Sequence, residues 1–343
     1  MDEFRANNHY VPKLYLKQWE DSSNKICVYK TLVSHENEQM WQTRSASKIA
    51  YQRHLYTQLV SGQESDEFER WIDCEYESPA RAVIKKATTD KRLSKEDWRV
   101  LIRFLACQDV RTPARLLEHL NRADNEYQKV LDDSVQRFVS EMENNPVTNK
   151  VPSDRSNDSD QTYPLKIITK RDPNDSEMGI LRVESYIGRT TWIRSMKTLL
   201  THTEKVLQQH KWSIIKPAKG YYWPTSDNPV IKLNYTDDKN YDFGGGWGRH
   251  KGNILFPLGP QHAMFVQIGD RPILKGTRLN ESLTIQLKNF IIQHAHRMVF
   301  SNNCDEDIAS IRPRIINPQA VNNERKQLKE WHKQNIKLES EYL

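Results

Sequence analysis

Two short polar motifs in this sequence place reactive side chains beside a proline. One is NHYVP, residues 8–12, and the other is TSDNPV, residues 225–230. His9 of the first motif can serve as an acid, a base or a ligand near neutral pH. Asp227 of the second can serve as a general base or anchor a metal-bound water. We predict that His9 and Asp227 are catalytic and share one pocket, although they lie far apart in the chain.

Both motifs also have a structural interpretation. Ser226, Asp227 and Asn228 can form an Asx-type turn whose side chains bond nearby backbone groups before a strand. His9 can be a partly buried histidine that caps a helix beginning near Pro12. In the functional interpretation, Ser226 and Asn228 position a substrate beside Asp227.

Two arginines are candidates for holding negative charge. Arg111 and Arg115 are four residues apart and share a helix face if the helical path survives Pro113. Each guanidinium offers a planar fork of donors that suits a phosphate or carboxylate. We predict that both bind substrate. Alternatively they lock helices together by pairing with acids such as Asp109, Glu118 or Glu75.

These motifs together resemble a bacterial family known as domain of unknown function 4238. The resemblance runs from about residue 8 to residue 301 and is carried by the HYVP opening with Leu14, Tyr15, Leu16 and Trp19, RTPAR (111–115), TSDNPV, FPLGP (256–260) and Asn289. It implies a shared scaffold and candidate site positions, with Asn289 among the substrate-binding residues, but no settled activity. It also suggests a role in phage defence, which would suit a nuclease.

The charge distribution suggests a partner. The 343-residue chain has a formal net charge of +6, and residues 161–220 hold eleven Lys and Arg against five Asp and Glu. This regional surplus could neutralise nucleic-acid phosphates. The alternative is a solvated helix face that keeps the protein soluble.

Cysteine usage and hydropathy limit the possible classes of protein. Cys27, Cys74, Cys107 and Cys304 are scattered without a C-x-x-C pair, which argues against a structural zinc site and for ordinary buried thiols in a reducing compartment. The charged amino terminus leaves no room for a signal region, and no apolar run is long enough to span a bilayer. We predict a cytoplasmic protein without a membrane partner; the sequence leaves the oligomeric state open.

Two further patterns are weaker. His294 and His296 form a lone H-x-H, whose geometry depends on the element that carries it. A divalent metal is therefore a candidate cofactor without assigned ligands. The GGGWG run, residues 244–248, lacks the Lys-Ser/Thr of a phosphate loop and is predicted to be a mobile flap.

The periodicity predicts an α+β fold, with a helical amino-terminal half packed on a mixed or antiparallel sheet in the carboxyl-terminal half. A capping box at residues 94–97 marks one helix start, and short apolar runs beyond residue 212 indicate strands. The chain divides into a mainly helical region with the HYVP segment (1–143), a mobile loop or linker (144–163), a helix and sheet region with the SDNP motif (164–316) and a charged terminal helix (317–343). These regions can form one composite domain.

The motifs and the charge surplus together lead to two hypotheses. The first is an intracellular enzyme that acts on a phosphate-bearing substrate, with a nuclease on RNA or DNA as the leading form. The alternative is a non-catalytic module that binds a nucleotide or a partner protein in the same polar cleft. Turnover separates the two.

Overall fold

The computed structural model describes residues 4–144, 165–172, 175–237 and 239–342. The predicted linker at 144–163 lies almost wholly outside these ranges. The described helices, which short 3-10 and π segments supplement, are α1 (Lys13–Leu16), α2 (Glu67–Ile72), α3 (Ser78–Thr88), α4 (Lys95–Val110), α5 (Pro113–Asn144), α6 (Arg189–Thr198), α7 (Lys205–Gln208), α8 (Glu281–His294), α9 (Glu306–Ile311) and α10 (Pro318–Tyr342). No described helix combines the length and apolar character that crossing a membrane requires.

The strands are short. They are β1 (Asn7–His9), β2 (Ile26–Lys30), β3 (Leu32–Val33), β4 (Trp41–Arg44), β5 (Tyr51–Arg53), β6 (Gln58–Val60), β7 (Gln63–Ser65), β8 (Leu165–Asp172), β9 (Asp175–Ser185), β10 (Ser213–Ile215), β11 (Thr225–Ser226), β12 (Ile231–Asp237), β13 (Asn240–Asp242), β14 (Gly252–Gly259), β15 (His262–Gln267), β16 (Met298–Ser301) and β17 (Ile315–Ile316). An antiparallel five-stranded sheet has the order β10-β15-β14-β12-β13, and an antiparallel four-stranded sheet has the order β11-β16-β2-β4. The remaining strands form two-stranded ribbons.

The predicted arrangement of a helical amino-terminal half against a carboxyl-terminal sheet is wrong. The fold is α+β, but β1–β7 fill the amino-terminal region, α2–α5 follow in the middle, and β2 and β4 share a sheet with β11 and β16. The amino-terminal strands are too short to show a clear alternation of apolar and polar residues. Their partners are also distant in sequence, as Val28 opposite Phe300 illustrates. Periodicity within a short window carries no information about such pairing.

The TSDNPV segment connects the two larger sheets. Thr225 and Ser226 form β11 in the four-stranded sheet, and the chain then crosses to β12 in the five-stranded sheet. Residues 227–230 of this crossing are all buried. Their polar groups therefore need partners inside the protein.

Aromatic packing fixes the amino-terminal segment against later strands. The ring of Tyr15 in α1 stacks on Phe256 in β14 with centroids 5.2 Å apart, and its hydroxyl lies 2.7 Å from Thr225 Oγ1. Trp19 Nε1 donates to the carbonyl oxygen of Trp223 at 2.8 Å. All five side chains are buried. The HYVP segment is thus held close to the start of the TSDNPV segment.

The turn between α4 and α5 carries the two predicted arginines. The predicted capping box at the start of α4 is confirmed, since Ser94 Oγ accepts from the Asp97 amide and Asp97 accepts from the Ser94 amide. The helix ends at Val110, and Pro113 begins α5, where its missing N–H is not needed. Arg111 therefore precedes α5 while Arg115 lies within it, so they do not share one continuous helix face.

A fully buried ion pair attaches the terminal helix. Arg189 Nε and Nη2 donate to the two carboxylate oxygens of Glu339 at 2.9 and 2.6 Å, and neither side chain is exposed. Glu339 also accepts from the Leu59 amide, and Asn335 accepts from the Arg189 amide. Arg189 counts toward the basic surplus of residues 161–220, but it lies in the interior, where it cannot reach a phosphate backbone.

The Arg189–Glu339 ion pair predicts that removing the charge of Glu339 strongly destabilises the protein. Glu339→Gln should lower the free energy of unfolding by about 3–5 kcal/mol, because it leaves the buried Arg189 guanidinium without a counter-charge. Urea unfolding followed by tryptophan fluorescence measures the change. Glu341→Gln, an exposed position on the same helix, is the matched control and should change stability by less than about 0.5 kcal/mol. Equal, small losses in both variants would contradict the assigned role.

Candidate functional site

The Asp227 carboxylate binds the backbone that leads into β16. Oδ1 accepts from the His296 amide at 2.8 Å, and Oδ2 accepts from the amides of Arg297 and Met298 at 2.8 and 3.0 Å. The side chain is 2% exposed. Burial raises the pKa of Asp227, while the neighbouring His296 and the three N–H donors oppose that rise. Asp227 is thus the anchor of the turn at residues 296–298.

The same turn is also held through its carbonyl groups. Arg312 donates to the carbonyl oxygens of Ile292 and Ala295, and the Thr31 amide donates to the carbonyl oxygen of Arg297 at 2.9 Å. Donors and acceptors on both sides therefore fix the backbone position of His296.

His296 lines the larger of two adjoining cavities. This cavity, the His296 cleft, has a volume of about 490 Å³ and is open to solvent. Its lining consists of Ala114, Leu117, Glu118, Asn121, Arg122 and His296. Burial lowers the pKa of His296 and Asp227 opposes the decrease. At neutral pH the imidazole is therefore neutral, which is the form that a general base requires.

His294 has a different role from His296. Its Nδ1 donates to the carbonyl oxygen of Asn228 at 3.0 Å, and its Nε2 is 3.3 Å from Asn228 Nδ2, so both ring nitrogens are used. Burial lowers the pKa of His294 to about 4. Asn228 Oδ1 in turn accepts from Thr112 Oγ1 at 3.3 Å. Asn228 thus links the RTPAR segment to the end of α8.

Arg111 lies in the protein core. Its Nη1 donates to Glu77 Oε1 at 2.5 Å, and its Nη2 donates to the backbone oxygen of His9. The Tyr56 hydroxyl donates to the Arg111 carbonyl. The side chain has no exposed surface and lines neither cavity of the site. Arg111 therefore connects the HYVP segment, through the His9 backbone, to Glu77 in the segment before α3.

The contacts of the His9 side chain differ from those of Asp227. Its imidazole packs against Tyr51, with ring centroids 5.4 Å apart, and burial followed by Lys13 lowers the pKa of His9 to about 4. Within the HYVP motif, Tyr10 is the residue that interacts electrostatically with Asp227: burial, and then Asp227, raises the pKa of Tyr10. The two motifs are therefore close in space, but the side chains of His9 and Asp227 have different neighbours. A catalytic role for both residues stays a prediction.

Arg115 belongs to a buried ionic cluster around Asp109. Asp109 accepts from Lys232 Nζ at 2.8 Å, Trp247 Nε1 at 2.7 Å and Arg115 Nη2 at 2.7 Å. We call these four residues the Asp109 cluster. Burial acts to raise the pKa of Asp109, but Arg115 and Lys232 hold it well below its usual value. Asp109 therefore stays ionised at neutral pH.

The GGGWG loop brings Trp247 to this cluster. A Cβ at Gly245 would lie 2.9 Å from the backbone carbon of Lys232, so this loop approaches β12 more closely than a side chain allows. Neither Trp247 nor Lys232 belonged to the predicted site. The glycine run was the available signal for a close backbone approach.

The Asp109 cluster places two basic side chains beside a cavity. Arg115 and Lys232 share the buried Asp109 carboxylate, and Arg115 also pairs with Glu118, which is 56% exposed. Burial lowers the pKa of Lys232, and Asp109 opposes the decrease. The cavity beside the cluster, the cluster pocket, has a volume of about 250 Å³. Its lining consists of Asp109, Val110, Arg115, Glu118, His119, Arg122, Trp192, Ser195, Met196, Leu199, Thr203, Lys232 and Trp247. Because Glu118 and Arg122 line both cavities, the cluster pocket adjoins the His296 cleft.

Two other predicted residues line neither cavity. Ser226 is fully buried, and its Oγ accepts from the Asn228 amide at 3.2 Å. Asn289 lies in α8 with a buried Oδ1 that has no hydrogen-bond partner in the described part of the chain. Substrate binding by Ser226, Asn228 and Asn289 stays a prediction.

One group of side chains in the described ranges has metal-ligand spacing. Ligand atoms of His54, Glu64 and His332 lie within 4.8 Å of one another. However, Arg189 Nη1 lies 3.0 Å from His332 Nδ1, and arginine can only donate. The His332 proton is thus on Nε2, which donates to Glu64 at 2.8 Å. The two histidines and Glu64 thus also belong to a hydrogen-bonded set with Thr57 and Arg189.

The comparisons with known proteins agree with the motifs. A family model described as a protein of unknown function, DUF4238, matches residues 7–305. The chain belongs to the DUF4238 family. No curated protein and no solved structure matches it. The resemblance drawn from the sequence is therefore confirmed, and in this DUF4238 protein the HYVP, RTPAR and TSDNPV segments converge through Arg111, Thr112 and Asn228.

The anchor predicts a structural cost for a conservative change. Asp227→Asn should lower the free energy of unfolding by about 2–3 kcal/mol, since an amide cannot accept from all three backbone donors as a carboxylate does. Urea unfolding measures it. Asp237→Asn is the matched control, because Asp237 also accepts two backbone amides but is exposed. Asp227→Asn with unchanged stability would contradict the anchoring role.

The two histidines with low pKa predict a stability that depends on pH. His9 and His294 titrate at about 4 in the folded protein and near 6.5 when unfolded. The unfolded state binds more protons between these values, so stability should fall as the pH drops from about 6.5 to about 4.

His294→Gln tests this dependence. It should remove up to about 3 kcal/mol of the difference between urea unfolding at pH 7.5 and pH 4.5. The exposed His35→Gln is the control. If both variants retain the full pH dependence of the natural protein, the buried histidine is not its source.

Proposed function

We propose that this protein is an enzyme that acts on a phosphate-bearing substrate, with RNA or DNA as the leading candidates, bound across the cluster pocket and the His296 cleft. The supporting observation is that Lys232 and Arg115 share the buried Asp109 carboxylate at the wall of the cluster pocket, while Glu118, the second partner of Arg115, is 56% exposed. An anion in the adjoining pocket would give these two basic groups a further partner of opposite charge.

The cations of the cluster have suitable chemistry for a phosphate. Asp109 accepts one N–H of Lys232, and in the described part of the chain the other two have no protein acceptor. The same carboxylate fixes the guanidinium plane of Arg115. Donors that are oriented in advance stabilise developing negative charge without reorganising during the reaction. Arg122 extends the positive lining toward His296.

His296 is our candidate general base. Its neutral imidazole can take a proton from a water or a substrate hydroxyl as that oxygen attacks phosphorus. The nearby Asp227 carboxylate stabilises the imidazolium that forms. Asp227 acts here as a positioning residue, because its oxygens are bonded to backbone amides. The attacking oxygen forms the new P–O bond, and the leaving oxygen departs with the electron pair of the broken one.

A binding module is the second candidate. The observation that favours it is that the Asp227 carboxylate is fully used by the backbone, as suits a scaffold. In that case a nucleotide or an acidic partner segment occupies the cluster pocket without being converted. Nucleic-acid contact through residues 161–220, phage defence and a cytoplasmic location remain part of the proposal; a reducing compartment would suit the unpaired cysteines.

Turnover and binding test the two candidates separately. The natural protein is incubated with total RNA, single-stranded DNA and bis(p-nitrophenyl) phosphate, with and without magnesium or manganese. His296→Asn should reduce kcat by at least a hundredfold, the scale expected for a lost acid–base group, and leave substrate affinity largely intact. His35→Asn is the control for histidine replacement at an exposed site.

Two pocket variants test the anion site without relying on catalysis. Lys232→Met should weaken the binding of a fluorescent nucleotide tenfold or more and flatten its salt dependence, since one charged donor is worth about 1.5–3 kcal/mol. Ser195→Trp should block the pocket without touching the Asp109 cluster, and Thr198→Trp on the exposed face of α6 is its control. Binding without turnover supports the binding module; neither binding nor turnover would reject the phosphate site.

A further inference from the structure

Two cysteines that are distant in sequence lie in contact beside the four-stranded sheet. Cys27 is in β2, opposite Ser301 of β16, and Cys304 follows three residues after that strand ends. Their Sγ atoms are 2.6 Å apart. A disulfide bond measures about 2.05 Å, so little movement separates the two sulfurs from bonding distance.

The two thiols differ in access to solvent. Cys304 is exposed, whereas Cys27 is 8% exposed. Burial, followed by the contact with Cys304, raises the pKa of Cys27 to about 12. Because the thiolate is the nucleophile in thiol–disulfide exchange, Cys304 is the thiol that an oxidant in solution meets first.

We propose that Cys27 and Cys304 are a redox modification site that forms a reversible intramolecular disulfide with a low-molecular-weight disulfide, such as oxidised glutathione, as the oxidant. The Cys304 thiolate attacks one sulfur of the oxidant, whose S–S bond breaks and releases one small thiolate. Cys27, losing its proton, then attacks the Cys304 sulfur of the mixed disulfide and releases the second small thiol. Two protein thiols are oxidised and one small disulfide is reduced to two thiols.

The bond would strengthen the sheet that carries the Asp227 anchor. It joins β2 to the chain just after β16, whereas Asp227 binds the amide of Met298 at the beginning of β16. The cross-link would therefore fix both ends of this strand. It also closes a loop of 277 residues in sequence, and cross-links across long loops restrict the unfolded chain strongly. This inference is independent of the proposed function.

Mass spectrometry of the full-length protein tests the site directly. The chain is incubated with oxidised glutathione, free thiols are alkylated, and peptides are mapped without reduction. We expect a linked Cys27–Cys304 peptide pair, a mass lower by about 2 Da from the two lost protons, and a melting temperature raised by roughly 3 °C or more. Dithiothreitol should reverse all three.

Serine variants identify the thiols. Cys304→Ser should abolish the linked peptides and the rise in melting temperature, whereas Cys74→Ser, at another exposed cysteine, should retain both. Two results would overturn the proposal. One is a stable glutathione adduct on Cys304 with Cys27 still free for alkylation after unfolding. The other is a disulfide that maps to Cys74 or Cys107.

Discussion

The structure depends on one buried carboxyl group that binds three consecutive backbone amides where a neighbouring strand would otherwise bind them. Asp227 directly follows β11, and its carboxylate accepts hydrogen bonds from the amides of His296, Arg297 and Met298 at the start of β16. A carboxylate has enough lone pairs for three donors, whereas a serine or an amide does not. The interaction fixes where β16 starts, and thus the register of Ser226 opposite Val299. It therefore decides which side of the turn carries the His296 side chain.

A second buried carboxylate has a contrasting role. Asp227 binds three neutral amides beside His296, whereas Asp109 binds the basic side chains of Lys232 and Arg115. The His296 cleft therefore presents an imidazole, and the cluster pocket presents basic groups. The proposed function uses both, since the anionic group of a phosphate ester needs cations and its attacking oxygen needs a base.

Local signals predicted local structure well and distant pairing poorly. The capping box at residues 94–97 depends on neighbours within one turn, and it is observed. The role of Arg111 depends on Glu77 and on the backbone of His9, 34 and 102 residues away. No spacing rule reports such contacts. Lys232 belongs to no motif, and the H-x-H pattern could not distinguish the packed histidine from the one in the cleft.

The family motifs consist mainly of residues that hold distant segments of the chain together. The residues that carry the resemblance are largely buried. The polar groups of Arg111, Asp227 and Asn228 form hydrogen bonds with other segments of the chain. The groups that line the His296 cleft, such as His296 and Arg122, lie on the elements that those residues hold in place. A polar motif beside a proline can thus consist of residues that position a site, while the residues that react lie elsewhere in the chain. The chemistry would then vary with a few lining residues while the anchors remain the same.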